Sequence, residues 1–397
     1  MRRRGSGVGL AARYFLLVAD GDDTITAEVL SGVVEADPAA WDALARGHPF
    51  VRHAFLSALE ESGSVGPNTG WAPRPILLRR AGEVIGALPC YLKGHSQGEY
   101  VFDHAFADAY ERAGGRYYPK LLCAVPFTPA TGPRLLAADD EARALLAAAG
   151  PQVAGEMGVS SFAVNFPDGN DRAALADAGL MLRAGQQYHW HDDGYGDWEG
   201  FLGALSSRHR KSLRRERAAV AAAGVEIRWL TGGDITEEVL DAFWVFYQDT
   251  GARKWGHPYL TRTFFSLLAE RMAEDVLLIM AYRGGRCIAG ALNLIGPDAL
   301  YGRYWGRTEH VDFLHFEVCY YQAIDFALSR GLSRVEAGAQ GEHKVARGYA
   351  PVETHAAYWF RDEGFGRAVE GYLERERDAV GEEIAYLADF TPFKRPG

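Results

Sequence analysis

Two short stretches, RAGEVIGAL (Arg80–Leu88) and RGGRCIAGAL (Arg283–Leu292), decide the fold of this 397-residue chain. Each ends an apolar run, Pro75–Arg80 or Val276–Arg283, and each pattern is typical of a strand, a tight glycine-containing turn and a second strand. In both copies, a further strand-like segment then precedes a long helix and another strand. The repeat therefore predicts two related α/β units that meet near residues 184–200.

Composition and charge exclude several classes of protein. Hydrophobic residues make up 48% and charged residues 24% of the chain, which is typical of a globular protein of one or two domains and excludes a disordered chain. With a formal net charge of −10, the chain is not expected to bind nucleic acid through overall positive charge, although a local basic stripe is compatible with it. Four separated cysteines without a CxxC pair argue against a disulfide scaffold or a cysteine-rich zinc site.

Membrane insertion and secretion are not expected. The apolar runs Val276–Tyr282 and Cys287–Ile295 are much shorter than the ~20 residues that a membrane-spanning helix needs. The start, MRRRGSGVGLAARYFLLVA, is a poor secretory signal because Arg13 interrupts its apolar part and acidic residues follow at once. We therefore expect a cytoplasmic protein without integral membrane contact, in which residues 1–30 form a loose N-terminus.

Periodicity predicts the other elements. It predicts helices over Ala39–Ser62, Asp140–Met157, Asp171–Ala178, Trp198–Gly224, Ile235–Thr250, Thr261–Ala273, Phe313–Arg330 and Gly366–Ala388. It predicts strands over Tyr117–Pro126, Ser161–Asn165, Val225–Leu230, Ala299–Trp305 and Arg334–Ala337. These elements are the frame on which candidate functional residues can be placed.

A basic stripe, SSRHRKSLRRERAAV (Ser206–Val220), lies in the middle of one predicted helix. It has a single acid, Glu216, and six cations: Arg208, Arg210, Lys211, Arg214, Arg215 and Arg217. Arginine presents fixed donors to phosphoryl oxygens, so the stripe predicts an anion-binding site that would hold phosphate. The alternative is a solvated helix face.

Two segments of the first half, Gly98–Gly114 and Tyr117–Leu136, alternate aromatic with polar side chains and prolines. They predict a wall that binds substrate. Its candidate residues are Asp103, His104, Lys120, Thr128 and Arg134. The alternative is a connection stiffened by proline, with turn hydroxyls that are satisfied locally.

In the second half, LYGRYWG (Leu300–Gly306) and LHFEVCYYQ (Leu314–Gln322) are similarly rich in polar and aromatic residues. Strand alternation puts Tyr301, Arg303 and Trp305 on one side of the strand. Together with His315 and Glu317 they predict a buried polar site that binds substrate, with an aromatic core as the alternative.

A pair of histidines, His189 and His191, lies on one face of a predicted strand in AGQQYHWHDDGY (Ala184–Tyr195). Such a pair could ligate a metal, but the spacing offers no third ligand. We therefore interpret the pair as structural and expect no metal site.

The polar loop AGAQGEHKVARGYAP (Ala337–Pro351) begins at the C-terminal end of a predicted strand, where α/β folds place ligands. Its glycines allow backbone to approach a ligand closely. It carries five candidate residues: Gln340, Glu342, His343, Lys344 and Arg347. A solvated loop whose charges pair with one another is the alternative.

The strings GEYVFD, YYPK, PFTPATGPRLL, LYGRYWG, LHFE, CYYQ and GAQGEHKVARGYAP resemble the FemAB-like family, which is linked to peptidoglycan biosynthesis and to the GNAT acyltransferase superfamily. The resemblance spans about Ala39–Phe393. It implies an α/β (α+β) fold of two GNAT-like domains, each a mixed, largely antiparallel sheet flanked by helices. We place these domains at residues 31–185 and 186–397, the second with the basic helix 206–220 and the C-terminal helix.

The resemblance also implies an activity. The related Fem transferases move an amino acid from aminoacyl-tRNA to an amine, so it implies an acyltransferase whose acceptor is a small molecule or a cell-wall precursor. Lys344, followed by Gly348 and Tyr349, is similar to the lysine and Gly-aromatic pair near the acceptor site of those enzymes, although three residues separate Lys344 from Gly348 here. The loop is also similar to a glutamine-containing strand end in leucyl/phenylalanyl-tRNA-protein transferases.

Acyl-CoA is the other donor that the superfamily uses. Its pyrophosphate loop has the pattern Q/R-x-x-G-x-G/A at a strand-to-helix junction, whereas the segment after Trp305 reads GRTEHVDFLHFE. This favours aminoacyl-tRNA as co-substrate, with no resident cofactor. A transferase that uses acyl-CoA and a non-catalytic module that binds a cell-wall precursor are the alternatives.

Acyl transfer from an ester to an amine needs a deprotonated amine, an aligned electrophile and a stabilised oxyanion. We predict that Lys344 stabilises the oxyanion and that Glu342 or His343 accepts the proton. Gln340 would orient the substrate. Since the sequence has no nucleophile elbow, an acyl-enzyme is not expected.

Overall fold

A computed structural model describes residues 13–18, 24–255, 258–338 and 341–394. Its strands are β1 (Arg13–Val18), β2 (Ile25–Val29), β3 (Trp71–Pro73), β4 (Ile76–Arg80), β5 (Glu83–Leu88), β6 (Cys90–Lys93), β7 (Lys120–Cys123), β8 (Leu136–Ala137), β9 (Ser161–Asn165), β10 (Met181–His191), β11 (Val225–Leu230), β12 (Val276–Arg283), β13 (Arg286–Ile295), β14 (Ala299–Arg307), β15 (Arg334–Glu336) and β16 (Ala350–Phe360). Its helices are α1 (Pro38–Ala45), α2 (His53–Glu61), α3 (His104–Arg112), α4 (Asp140–Met157), α5 (Gly169–Asp177), α6 (Trp198–Ala204), α7 (Ser207–Ala222), α8 (Glu237–Trp255), α9 (Arg262–Met272), α10 (Leu314–Phe316), α11 (Gln322–Arg330) and α12 (Glu363–Ala388).

The two quoted stretches form matching antiparallel hairpins, β4–β5 and β12–β13. Their turns, Ala81–Gly82 and Gly284–Gly285, have positive φ at both positions, as the tightest hairpin turns require. Both hairpins also carry a register shift at the same distance from the turn, at Leu78–Arg79 and at Ala281–Tyr282. The predicted hairpins are confirmed, and the repeat extends to this irregularity.

The strands form two sheets. One has the order β1-β2-β4-β5-β8, and the other has the order β11-β12-β13-β14-β15-β10-β16-β9-β7-β6-β3. Among the described strand pairs, β14–β15 and β7–β9 are parallel and the others are antiparallel. The predicted fold class, a mixed and largely antiparallel α/β arrangement with flanking helices, is confirmed.

The two halves exchange their last strands at the centre of the larger sheet. β10 ends the first half but pairs with β15 of the second, whereas β16 ends the second half and pairs with β9 of the first. β10 and β16 also pair with each other from Met181 to His189. The predicted boundary at residues 185 and 186 therefore falls inside β10, and the limits of the two domains stay a prediction.

The helices enclose a space over these central strands. α12 packs across β10 and β16, and α8 packs against β13 and β14. The chain segment from 314 to 330 runs as α10, a π-helical turn over Glu317–Tyr321 and α11. A π-helical turn is a rare irregularity that often occurs at functional sites.

Some sequence-based boundaries are wrong. The predicted helix Trp198–Gly224 is two helices, because Leu205 is extended and caps α6. The predicted helix Ala39–Ser62 is α1 and α2, separated by a 3-10 turn that starts at Pro49. In the predicted loose N-terminus, Ile25–Val29 pairs with β4, while residues 1–12 and 19–23 lie outside the described residues. Within the described parts of the chain, no helix combines the length and apolarity needed to cross a membrane.

Candidate active site

The site begins where two parallel strands separate. β14 and β15 pair only from Ala299 to Tyr301, opposite Arg334–Glu336. Beyond that point β14 continues along β13 and β15 ends, and a cavity of about 740 Å³ opens between them. Gly302–Trp305 and Gly338 line this cavity. It therefore lies beyond the carboxyl ends of parallel strands, where the sequence analysis placed the ligand.

Both halves of the chain line the cavity. The exchanged strands β10 and β16 contribute Ala184–Gln187 and Thr354–Ala356, and the first half contributes Tyr100–Phe102. His315, Cys319 and Tyr320, from α10 and the π-helical turn that follows it, complete the side nearest the 341–349 loop. The sequence did not predict that Ala184–Gln187 and Thr354–Ala356 line a cavity, because local patterns do not reveal that β10 and β16 pair.

Lys344 borders this cavity although its side chain is 2% exposed. It lies in a 3-10 turn over Glu342–Arg347, and its Nζ donates to the carbonyl oxygen of Gly338 at 2.7 Å. Its Nζ is also 5.6 Å from the ring centroid of Tyr188. This places an ammonium group just beyond the end of β15.

His343 borders the cavity beside Lys344. Its Nε2 lies 3.1 Å from the hydroxyl of Tyr320. The ring packs over Gly341, where φ is +113° and a Cβ would lie 2.8 Å from Nδ1 of His343. Burial lowers the pKa of His343 below its usual value, as do the charges of Arg347 and Lys344. A neutral His343 can accept a proton through whichever ring nitrogen is unprotonated.

The other predicted catalytic residues of this loop differ in placement. Glu342 is exposed and lies outside the cavity lining formed by the described residues, so its placement does not support the expected proton transfer. Gln340 lies outside the described residues. His343 is thus the better placed of the two predicted proton acceptors.

Three predicted substrate-binding residues of the second half line the cavity: Arg303, Trp305 and His315. Arg303 donates from Nη2 to the carbonyl oxygen of Phe127, and its buried Nε has no hydrogen-bond partner among the described residues. The rings of Trp305 and His315 lie 5.0 Å apart. The cavity lining therefore includes one arginine and a pair of aromatic rings from this half.

Tyr301 and Glu317 lie elsewhere, contrary to the expected polar site. The Tyr301 hydroxyl is 3.3 Å from Nε2 of His48 and accepts from Arg334 at 3.2 Å. Glu317 accepts from Arg217 at 3.1 Å and from Gln322 at 2.6 Å. Both side chains are buried against protein partners, outside the described lining of the cavity.

Asp103 and Lys120 belong to a buried ion cluster of the first half. The Lys120 ammonium binds Asp103 and also Glu99, the latter at 2.8 Å, and the Tyr117 hydroxyl donates to Asp103 at 2.7 Å. Burial opposes the charged lysine, but Glu99 and Asp103 raise the pKa of Lys120 above its usual value. Lys93 lies 3.8 Å from Glu99, and burial lowers its pKa to about 7. The cluster anchors both ends of the Tyr100–Phe102 wall and lies behind the described lining.

The remaining candidates of the first half are also outside the described lining. His104 is exposed and stacks on Phe102, with ring centroids 6.4 Å apart. Thr128 donates to the carbonyl oxygen of Pro126 at 3.0 Å. Arg134 is fully buried and donates to the carbonyl oxygen of Asn165 at 2.9 Å. The wall expected from Thr128 and Arg134 is a packed connection, because backbone carbonyls occupy these donors.

Arg347 and Tyr349, predicted to bind substrate, are buried behind the described cavity wall. Arg347 donates to Glu216 at 3.0 Å, to the Tyr321 hydroxyl at 3.1 Å and to the carbonyl oxygen of His343 at 2.8 Å. The Tyr349 ring lies 5.5 Å from that of Tyr320. These contacts connect the loop to its neighbours.

The basic stripe forms most of α7. Arg208, Lys211, Arg214 and Arg215 are exposed and Arg210 is half-buried, whereas the acid Glu216 is buried. Arg217 pairs with Glu317 and, at 2.8 Å, with Asp325, so it belongs to the inner face. Arg214 pairs with Glu199 on the surface. The outer face of α7 therefore carries mainly positive charge.

The histidine pair lies on β10. The rings of His189 and His191 are 6.3 Å apart, and burial lowers the pKa of His189 to about 3. Among the residues with described positions, no three His, Cys, Asp or Glu side chains gather as metal ligands would.

The chain matches one known protein family and is similar to several solved structures. The FemAB-like family model, described as peptidoglycan biosynthesis/recognition, matches residues 32–395. A crystal structure of FemX is 14% identical, covers 85% of this chain and 99% of that chain, and has a TM-score of 0.54. The structure of L-PGS from Bacillus licheniformis is 11% identical, covers 88% of this chain and 98% of that chain, and has a TM-score of 0.51.

These structural similarities show the fold. The search of curated proteins gave no match. Since the family model spans nearly the whole chain, the protein belongs to the FemAB-like family.

Proposed function

We propose that the protein transfers an aminoacyl group from aminoacyl-tRNA to an amine of a small molecule or of a cell-wall precursor. The observation that carries this proposal is the meeting of His343 and Lys344 in a cavity of about 740 Å³ that both halves of the chain line. Charged tRNA is a cytoplasmic donor, so the reaction is proposed to take place in the cytoplasm.

The chemistry assigns one role to each of these side chains. The amine nitrogen attacks the ester carbonyl carbon, and the developing oxyanion is stabilised by the Lys344 ammonium. One such donor contributes ~3–4 kcal/mol to transition-state stabilisation. The proton of the amine passes to neutral His343, which returns it to the ribose oxygen as the ester C–O bond breaks.

The outer face of α7 supports tRNA as the donor. Its exposed cations have few acidic neighbours on the same helix, because the single acid of the stripe, Glu216, is buried against Arg347. Contacts of arginine and lysine with phosphates release counterions, so such binding weakens steeply with salt. α7 also packs against the 342–347 turn, through the inner face that carries Glu216, so its exposed cations lie on a helix that contacts the loop of His343 and Lys344.

A mass-spectrometric screen tests the reaction. The wild-type chain is incubated with charged tRNAs or acyl-CoAs and candidate amines, and an aminoacyl mass increment on an amine is expected from charged tRNA. Lys344→Met should lower transfer at least a hundredfold, because the oxyanion loses its charged partner, while circular dichroism stays native. Lys394→Met, an exposed lysine outside the described cavity lining, is the control. Increments from acyl-CoA alone, or full activity of Lys344→Met, would contradict the proposal.

The pH dependence of kcat tests the role of His343. Because burial lowers the pKa of His343, its neutral form persists below the usual value of about 6.5. The acidic limb of kcat should therefore lie below pH 6.5, and His343→Gln should lower kcat at least tenfold and remove that limb. An unchanged profile in His343→Gln would exclude His343 as the base.

Charge reversal on α7 tests the donor site. Arg208→Glu with Arg215→Glu should raise the KM for charged tRNA about tenfold and flatten its salt dependence. Arg286→Glu, on an exposed arginine of the β12–β13 hairpin, is the control. An unchanged KM across a salt series would remove the phosphate-binding role of α7.

A further inference from the structure

One buried arginine joins three separate elements around the candidate site. Arg347 is 8% exposed and sits at the end of the 342–347 turn. Its Nη2 donates to Glu216 on α7 at 3.0 Å, and its Nε donates to the Tyr321 hydroxyl on the π-helical turn at 3.1 Å. Its Nη1 donates to the carbonyl oxygen of His343 at 2.8 Å. Each nitrogen of the guanidinium thus binds a different element.

The partner acid is unusual within its own helix. Glu216 is the only acid among the fifteen residues from Ser206 to Val220, and its side chain is 6% exposed. It accepts from Arg347, from the Tyr321 hydroxyl and from Ser212 Oγ at 3.3 Å. α7 therefore presents cations to solvent on one face and a single carboxylate to the 342–347 turn on the other.

The geometry of the arginine restricts the turn. A guanidinium is planar and presents its donors in a fixed fork, so three partners at once leave it one orientation. The guanidinium carbon also lies 3.5 Å from the ring centroid of Phe316, which fixes the plane. Arg347 holds the carbonyl group of His343 directly. The backbone position of this residue in turn determines where the side chains of His343 and Lys344 lie.

Stability alone does not account for such a cluster. A buried ion pair loses much of its Coulomb energy to desolvation, and replacement by apolar side chains is often neutral. What the arrangement provides is a defined distance between the outer face of α7 and the 342–347 turn.

We infer that Arg347, Glu216 and Tyr321 are positioning residues that set the proton acceptor and the oxyanion partner in register with a donor held on α7. This inference rests on the proposed function. The three side chains act through His343 and Lys344, and lie outside the described lining of the cavity.

Steady-state kinetics with charged tRNA separate positioning from donor binding. Arg347→Met, Glu216→Gln and Tyr321→Phe should each lower kcat at least tenfold and leave the donor KM within about twofold. Arg347→Lys should recover the melting temperature but not kcat, because one ammonium cannot serve three partners in a fixed plane. The matched control is Arg79→Met, which removes a half-buried arginine paired with Glu28 at 2.7 Å in the other sheet.

Hydrogen exchange gives a second measurement that needs no substrate. In the free protein, Arg347→Met and Tyr321→Phe should speed exchange of the backbone amides from 342 to 349 at least tenfold, with β12 and β13 unchanged. The milder Tyr321→Phe carries the test if Arg347→Met does not fold. Unchanged exchange in this loop overturns the inference, as does a raised KM with an unchanged kcat. A wild-type chain that transfers nothing from any donor refutes the proposed function, and the exchange result then decides whether the cluster holds the turn.

Discussion

Each half of the chain has one short parallel strand pair, and the space beyond that pair is open in one half and filled in the other. In the second half, β14 and β15 pair in parallel over three residues and then diverge around the cavity. In the first half, β7 and β9 also pair in parallel over three residues, from Leu121 to Cys123. There the gap is closed by the segment that returns past the end of β9: the backbone amide of Gly132 donates to the carbonyl oxygen of Phe166, and the Arg134 side chain donates to that of Asn165.

This difference shows that two halves with the same strand pairing need not both form a cavity. The first half keeps the parallel junction and fills it, and it contributes a cavity wall, Tyr100–Phe102, to the site of the second half. Its lysine, Lys120, is enclosed by carboxylates, whereas Lys344 of the second half borders the cavity. The two halves therefore differ in the residues that lie beyond the parallel strand pair, which fill the space in the first half and leave it open in the second.

The largest expected effect is on the closed half. Lys120→Met leaves the buried carboxylate of Asp103 without its cation and Glu99 with only Lys93, at 3.8 Å, so we expect a loss of about 3–5 kcal/mol in the free energy of unfolding. Urea denaturation measures it, with Lys394→Met as the exposed control. A loss below about 1 kcal/mol would mean that the ion cluster does not hold the first half together.

The hairpins give a matched pair of core positions. Counted from the turn, Leu88 and Ala291 occupy equivalent positions, since Leu88 pairs with Ile76 and Ala291 pairs with Ile279. Leu88 is fully buried, whereas Ala291 lines the cavity. Leu88→Ala should cost about 3 kcal/mol of unfolding free energy, because it leaves a void in a packed core. Equal stability of this variant in urea would show that the core around Leu88 collapses to fill the space.

The reciprocal change tests the open half. Ala291→Leu introduces the residue of the closed hairpin into the cavity, so transfer should fall about tenfold, or about 1.4 kcal/mol in the activation free energy. The free energy of unfolding should stay within about 1 kcal/mol of wild type, since the added atoms enter existing space. Normal kinetics in a folded Ala291→Leu protein would show that substrate does not use this part of the cavity.

The smallest effect concerns the turns. Gly284 has a φ of +57°, and the equivalent residue of the first hairpin, Ala81, adopts a φ of +48°. Gly284→Ala should cost about 1 kcal/mol, because a left-handed conformation is unfavourable for an L side chain. Thermal denaturation measures this, with Gly233→Ala as control at a glycine whose added Cβ would meet no neighbour. A cost near zero would show that the second hairpin tolerates strain as the first does.

Local patterns were enough to predict much of the fold. β9, β11 and α4 have the predicted boundaries, and the two hairpins have the predicted turns. In these elements, short-range periodicity and turn chemistry determine the structure. Helix ends were less predictable, since extended backbone at Leu205 divides a helix whose composition is continuous.

The candidate site was predictable only in part. Its loop was identified because glycines and polar residues follow a strand end, and the structure places His343 and Lys344 of that loop in the cavity. The burial of Lys120 and Arg134 was not predictable, because it depends on carboxylates and carbonyls supplied by distant segments. The same holds for the contribution of β10 and β16, whose pairing joins residues far apart in the sequence.

The exchange of β10 and β16 has a consequence for how the chain can be divided. A fragment that ends near residue 192 retains β10 and β9. It lacks β15, which pairs with β10, and β16, which pairs with β9. Each fragment alone would thus present an uncovered strand edge, a surface prone to aggregation. Produced together, the two pieces hold complementary edges, so a chain cut between residues 192 and 197 should reassemble by fragment complementation into a single cooperative unit.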